Sequence, residues 1–129
     1  MKILFVCTSN FDRSPALENR FRETNPQHEY RSAGINEYHT AKKGTRLISQ
    51  SDIDWADFIV YCEVIHLEIT EKKLWVRKPF VILRCGEYVR GGVNNEYIAK
   101  AEFKIKEFFN NPVNRGLLKN IDNGNKVML

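Results

Sequence analysis

The opening run Lys2-Ile3-Leu4-Phe5-Val6-Cys7 constrains this chain more than any other stretch. An unbroken apolar run with no polar alternation predicts a strand covered on both faces, the situation of a strand inside a parallel sheet. A mostly polar stretch, Thr8 to Arg13, follows it. Ser14-Pro15 then combines an N-cap residue with proline at the first helical position. Ala16, Leu17 and Phe21 recur at helical spacing among charged neighbours. The chain therefore opens as strand, loop and helix.

Further along, Tyr30 to Gly34 reads as a second strand, after a break at Asn25-Pro26. The polar segment from Ile35 to Ser51 leaves room for at most one short helix, around Ala41 to Leu47. Trp55 to Cys62 reads as a third strand with its lead-in. Val64 to Leu74 reads as a charged helix with Ile65, Leu67 and Ile69 available for burial. Pro79 to Leu83 reads as a fourth strand. Residues 95–110 carry the clearest helical pattern, with Phe103, Phe108 and Phe109 directed to the core. Strands alternating with helices predict a single α/β domain over residues 1–112 with a small parallel sheet. Residues 113–129 are expected to form a loosely ordered tail. Ligands of such sheets bind beyond the carboxyl ends of strands, where strand order reverses, so the loop after the first strand is the place to look for chemistry.

Composition closes several alternatives. The 129 residues suit one domain, and a 43% hydrophobic content suffices for a core. The net charge of +4 is spread along the chain rather than gathered in basic clusters interleaved with aromatics, which argues against nucleic-acid binding. Cys7, Cys62 and Cys85 are odd in number and widely spaced, which fits neither a disulfide framework nor a metal site. His28, His39 and His66 are scattered and are expected at the surface. No apolar stretch reaches the ~20 residues of a membrane helix, and the N-terminal run is too short for a signal peptide. The expectation is a cytoplasmic protein with no metal, no cofactor and no membrane partner.

The chemistry lies in Cys7-Thr8-Ser9-Asn10-Phe11-Asp12-Arg13-Ser14, a cysteine and an arginine with five residues between. Curled between a strand and a helix N-terminus, such a loop can turn its backbone N–H groups inward and make a concave anion site. The helix dipole adds about half a positive charge. The same field favours a thiolate at Cys7, since cysteine pKa values fall from ~8.5 toward ~3.5–7.5 in such places. Arg13 supplies the planar fork that grips two phosphate oxygens. Ser14 can direct its hydroxyl at the sulfur, and Asn10 can hold the loop through side-chain hydrogen bonds. Phe11 is a candidate rim for an aromatic ring.

The stretch from Phe5-Val6-Cys7 to Arg13-Ser14-Pro15 resembles the signature of the low-molecular-weight protein tyrosine phosphatases, and the length is similar to the shorter members of that family. Ser32-Ala33-Gly34 and Trp55-Ala56-Asp57 resemble further motifs of the family, and beyond residue 110 nothing does. The resemblance implies a four-stranded parallel sheet flanked by helices. It also implies hydrolysis of phosphate monoesters, such as phosphotyrosine-containing proteins or small aryl phosphates, through a cysteinyl-phosphate and without a metal. Carried over by position, Cys7 is the nucleophile and Arg13 binds the equatorial oxygens. The backbone amides of Thr8, Ser9, Asn10, Phe11, Asp12 and Arg13 hold the phosphate, and Ser14 eases departure of the thiolate.

One part of the pattern departs. The family places a general-acid aspartate after the fourth strand, closely followed by a tyrosine that walls the pocket. Tyr88 fits the wall, but Gly86 stands where the aspartate belongs, and Glu87 is the nearest carboxylate. Asp12, inside the loop, is a second candidate, and the sequence leaves open Glu87, Asp12 or neither. Without an acid, hydrolysis of a phenolic ester slows by about 10²–10⁴ while phosphate binding survives. Two rival readings therefore stay open. One is a non-catalytic module that captures phosphoproteins. The other is a thiol-dependent enzyme of the arsenate reductase type using Cys62 and Cys85.

Overall fold

The computed structural model describes residues 1–85 and 93–114. Strand β1 (Lys2–Cys7) leads through the loop into helix α1 (Arg13–Thr24), and β2 (Glu29–Gly34) follows. Helices α2 (Glu37–Lys43) and α3 (Gln50–Trp55) precede β3 (Phe58–Tyr61), then come α4 (Val64–Lys73), β4 (Phe80–Ile82) and α5 (Asn95–Asn110). The strands form one parallel sheet in the order β2-β1-β3-β4. Strand β2 pairs on one side of β1 and β3 on the other, so strand order reverses at β1, and its carboxyl end opens into the crevice where α/β sheets hold ligands.

Alternation along β1 divides the core. Ile3, Phe5 and Cys7 face a cluster completed by Leu17 and Phe21 of α1 and by Ala101, Ile105 and Phe109 of α5. Leu4 and Val6 face the opposite cluster, with Ile53, Ile59 and Tyr61 buried and Leu67 and Ile69 packed against it. Both faces are dry, which is why β1 carries no polar residue between Ile3 and Cys7. Cys7 thus belongs to the α1 and α5 face, with its sulfur at the foot of α1.

Several expectations are corrected. Residues 35–51 hold α2 whole and the start of α3, not one helix near Ala41. Asn36 caps α2 by accepting from the His39 N–H, and Gly44, with φ of 66°, closes it in the left-handed conformation that glycine adopts without strain. Ser49 and Asp52 form a reciprocal capping box on α3. Ser14 is not the N-cap of α1. That helix begins at Arg13 with Asp12 in the capping position, and the Asp12 side chain makes no capping bond. In α4 the enclosed residues are His66 and Thr70, whereas Ile65 is exposed. Phe103 of α5 also faces outward, because Ala101, Ile105 and Phe109 define the buried stripe. Among the described residues, no helix is long and apolar enough to cross a membrane. Most of the expected tail, residues 115–129, lies outside the described residues.

Candidate active site

The loop Thr8–Asp12 turns at Asn10, whose φ of 53° is left-handed, a conformation that asparagine tolerates better than most side chains. Its side chain holds the turn from within. Asn10 Nδ2 donates to Ser14 Oγ at 3.0 Å and to Ser32 Oγ at 2.8 Å, while Oδ1 accepts the Arg46 N–H at 3.3 Å. Ser32 in turn donates to Glu18 Oε1 at 2.5 Å. Ser14 Oγ accepts from Asn10 and lies 3.0 Å from the Cys7 sulfur, to which its own hydrogen can be directed. Asn10 thus donates two ways, through Ser32 toward the Glu18 carboxylate and to Ser14 beside the sulfur, an arrangement that supports the role expected of Ser14.

Outward from the sulfur, Cys7, Thr8, Ser9, Asp12 and Arg13 line a cleft of about 290 Å³ with His39 and Lys43 of α2 on its far side. Arg13 is nearly buried, its Nη2 donating to Thr8 Oγ1 at 3.3 Å and its Nη1 lying 3.9 Å from Glu63 Oε1. That carboxylate oxygen is enclosed and makes no hydrogen bond, so Arg13 is its counter-charge. Phe11, the rim candidate, is 52% exposed, and the ammonium of Lys43, which lines the cleft, lies 4.0 Å from its ring centroid. Asp12 faces the cleft, and its carboxylate makes no hydrogen bond or ion pair among the described residues.

His66 is the residue that the sequence reading missed. Expected at the surface, it is 1% exposed and joins the loop. Its Nδ1 accepts the Glu63 N–H at 3.0 Å, so the ring proton sits on Nε2, which donates to Thr8 Oγ1 at 3.0 Å. Burial, reinforced by the Arg13 cation, holds the His66 pKa down at about 4, so the ring is neutral at pH 7. Thr8 Oγ1 thus accepts from both Arg13 and His66, which leaves the Thr8 hydrogen free to point into the cleft. Spacing gave no warning of this, because His66 reaches Thr8 only after α4 folds across the end of β3.

The other cysteines lie just beyond the neighbouring strands β3 and β4, in unreactive surroundings. Cys62 is fully buried, and burial pushes its thiol far above the ordinary range. Cys85 is half-buried with its thiol also raised by burial, its S–H donating to the Leu83 carbonyl at 3.6 Å. Neither is the readily ionised second thiol that a disulfide relay needs. Glu87 and Tyr88 lie outside the described residues. Among the described residues, no group of histidine, cysteine, aspartate and glutamate side chains is arranged to hold a metal ion.

The low molecular weight protein-tyrosine-phosphatase PtpB of Staphylococcus aureus is 31% identical over 127 residues, covering 84% of this chain and 89% of that protein. The chain belongs to the low molecular weight protein tyrosine phosphatases. Solved structures show the same fold. The low molecular weight protein tyrosine phosphatase of T. tengcongensis superposes with a TM-score of 0.60 at 19% identity, covering 95% of this chain and 98% of that one. The YwlE arginine phosphatase of Geobacillus stearothermophilus gives 0.55 at 18% identity, covering 98% and 99%. No family model matches the chain. Membership of the low molecular weight phosphatases agrees with the four-stranded parallel sheet and with a nucleophilic loop after β1.

Proposed function

We propose that this chain hydrolyses phosphate monoesters, with phosphotyrosine in a protein or a small aryl phosphate as substrate. The observation that carries the proposal is the Cys7 sulfur, 3.0 Å from a Ser14 hydroxyl whose hydrogen can be directed to it, in a cleft that Arg13 also lines. In the first step the Cys7 thiolate attacks phosphorus, an S–P bond forms and the P–O bond to the phenol breaks. Arg13, the backbone amides of residues 8–13 and the free Thr8 hydroxyl hold the equatorial oxygens as their charge grows. Water then attacks phosphorus and gives a proton back to the carboxylate that protonated the phenol, the S–P bond breaks, and the Ser14 hydroxyl stabilises the departing thiolate.

Asp12 is the carboxylate that the cleft geometry favours for delivering a proton to the leaving phenol, since it lines the cleft unpaired. Glu87 is its competitor. Turnover of 4-nitrophenyl phosphate by the wild type, Cys7→Ser, Asp12→Asn and Glu87→Gln tests the whole reading. Loss in Cys7→Ser with a collapse of kcat in Asp12→Asn supports it, and a collapse in Glu87→Gln alone transfers the acid to Glu87. Phosphate binding with no turnover in the wild type defeats hydrolysis and leaves a capture module. Phosphoarginine consumed in preference to phosphotyrosine would move the substrate class.

A further inference from the structure

Helix α2 stands between two concavities. On one side His39 and Lys43, a turn apart, line the Cys7 cleft. On the other, an open groove of about 600 Å³ runs between the start of α2 and the end of α4, with Tyr38, Lys72 and Lys73 among its lining residues. Lys42 leans over this side, its ammonium 5.9 Å from the Tyr38 ring centroid. None of Lys42, Lys43, Lys72 and Lys73 makes an ion pair among the described residues, whereas Arg20, Arg22, Arg31, Arg46 and Lys100 each meet a carboxylate. Among the lining residues, Lys43, Lys72 and Lys73 face the carboxylates of Asp12 in the cleft and Glu37 in the groove, while Glu68 and Glu71 are exposed elsewhere on α4.

The helix also cannot drift from the loop. At its start the Asn36 N–H donates to the Thr8 carbonyl at 3.0 Å, and just past its end the Thr45 hydroxyl donates to the Ser9 carbonyl. Lys42 and Lys43 are therefore held at a set distance from the Cys7 cleft. Like charges kept together repel, and an anion lying over them offsets that repulsion.

We propose that the tract from the cleft across α2 to the groove docks the chain flanking the phosphotyrosine of an acidic phosphoprotein. The proposal rests on phosphotyrosine being the group that enters the cleft. A helix is about 10 Å across and an extended chain advances ~3.3 Å per residue, so crossing α2 takes about three residues. A carboxylate one position from the phosphotyrosine meets Lys43 and His39. One about three or four positions away meets Lys72 and Lys73, with Tyr38 offering its exposed ring between them.

The test compares labelled phosphotyrosyl peptides bearing Asp and Glu, or Asn and Gln, at the four positions on each side. Binding to the Cys7→Ser protein is read by fluorescence polarisation. The acidic peptide is expected to bind about tenfold tighter at low salt, with the gap closing as salt is raised. Lys72→Glu combined with Lys73→Glu should weaken the acidic peptide about fivefold or more, the worth of two exposed ion pairs. The same pair of changes in the otherwise wild-type protein should leave the neutral peptide and 4-nitrophenyl phosphate turnover unchanged. Equal affinities for the two peptides, no measurable binding of either, or a preference that survives the double charge reversal would each overturn the proposal. Inert 4-nitrophenyl phosphate with wild-type protein would sink the hydrolysis instead, and the peptide comparison would still report on the surface.

Discussion

Gly34 sits at the end of β2 beside Cys7, and adding a single methyl group there tests how tightly the phosphate loop is held. A Cβ built at Gly34 would lie 2.8 Å from the Asn10 nitrogen, 2.8 Å from the Ser9 carbonyl carbon and 2.8 Å from Thr40 Cγ2. Ordinary contact begins at 3.4 Å, so each neighbour must retreat by about 3.4 − 2.8 = 0.6 Å. Two of the three are backbone atoms of the loop, and the third belongs to a buried threonine of α2. The strand itself is pinned, with the Gly34 N–H donating to the Arg46 carbonyl and the Gly34 carbonyl accepting from the Ile48 N–H, both at 2.8 Å. The loop is thus the part that yields. Overpacking of this kind destabilises by about 1–3 kcal/mol. A displacement of this order in groups that grip a transition state lowers the rate by about 10²-fold. Gly34→Ala should therefore lower kcat/KM for 4-nitrophenyl phosphate by about that factor, weaken inhibition by inorganic phosphate, and lower Tm. A variant with wild-type kcat/KM and unchanged Tm would refute the reasoning, because it would mean the loop does not need the space.

Other perturbations reach the site from different directions. Thr8→Val removes the oxygen on which Arg13 and His66 converge and should reduce kcat/KM about tenfold, while Thr8→Ser keeps the oxygen and should stay near wild type. His66 has a pKa of about 4 folded against 6.5 unfolded, so the unfolded chain binds more protons between those values. Its stabilising contribution is full above pH 6.5 and lost as pH falls toward 4, by up to about 3 kcal/mol in denaturant titrations, and His66→Gln should flatten that slope. Asp52 is wholly buried against Arg46, the residue whose N–H holds Asn10, and Asp52→Ala should destabilise by about 3 kcal/mol in urea unfolding. Cys62 should resist alkylation at pH 8 in the folded protein and become reactive only on unfolding, as followed by mass spectrometry.

What the sequence determined by itself is local. The apolar run to Cys7, the spacing to Arg13 and the helical pattern beyond it reside in consecutive residues, and each reports the solvent exposure of its own segment. Those features fix a buried strand, a loop and a helix, and they set Cys7 and Arg13 at the two ends of that loop. Ser14 shows the limit of such reading, since the same hydroxyl chemistry suits a helix cap or a thiolate partner. In the fold it lies inside the helix, 3.0 Å from the Cys7 sulfur and 3.0 Å from Asn10 Nδ2, which is the placement a thiolate partner needs. Residues 35–51 read as a polar segment with at most one short helix because hydrophobic periodicity is weak there, while the caps at Asn36 and Ser49 that build α2 and α3 are side-chain bonds of one or two residues.

His66, Glu63, Ser32, Glu18 and Lys43 reach the site through parallel pairing and helix packing, across sequence distances that carry no periodic signal. Burial tells the same story. A histidine reads as polar until a helix lays it over a strand end, where losing water and gaining Arg13 as a neighbour together set its charge. The chain's order could point to Cys7 and Arg13, and only the folded sheet could bring the other groups beside them.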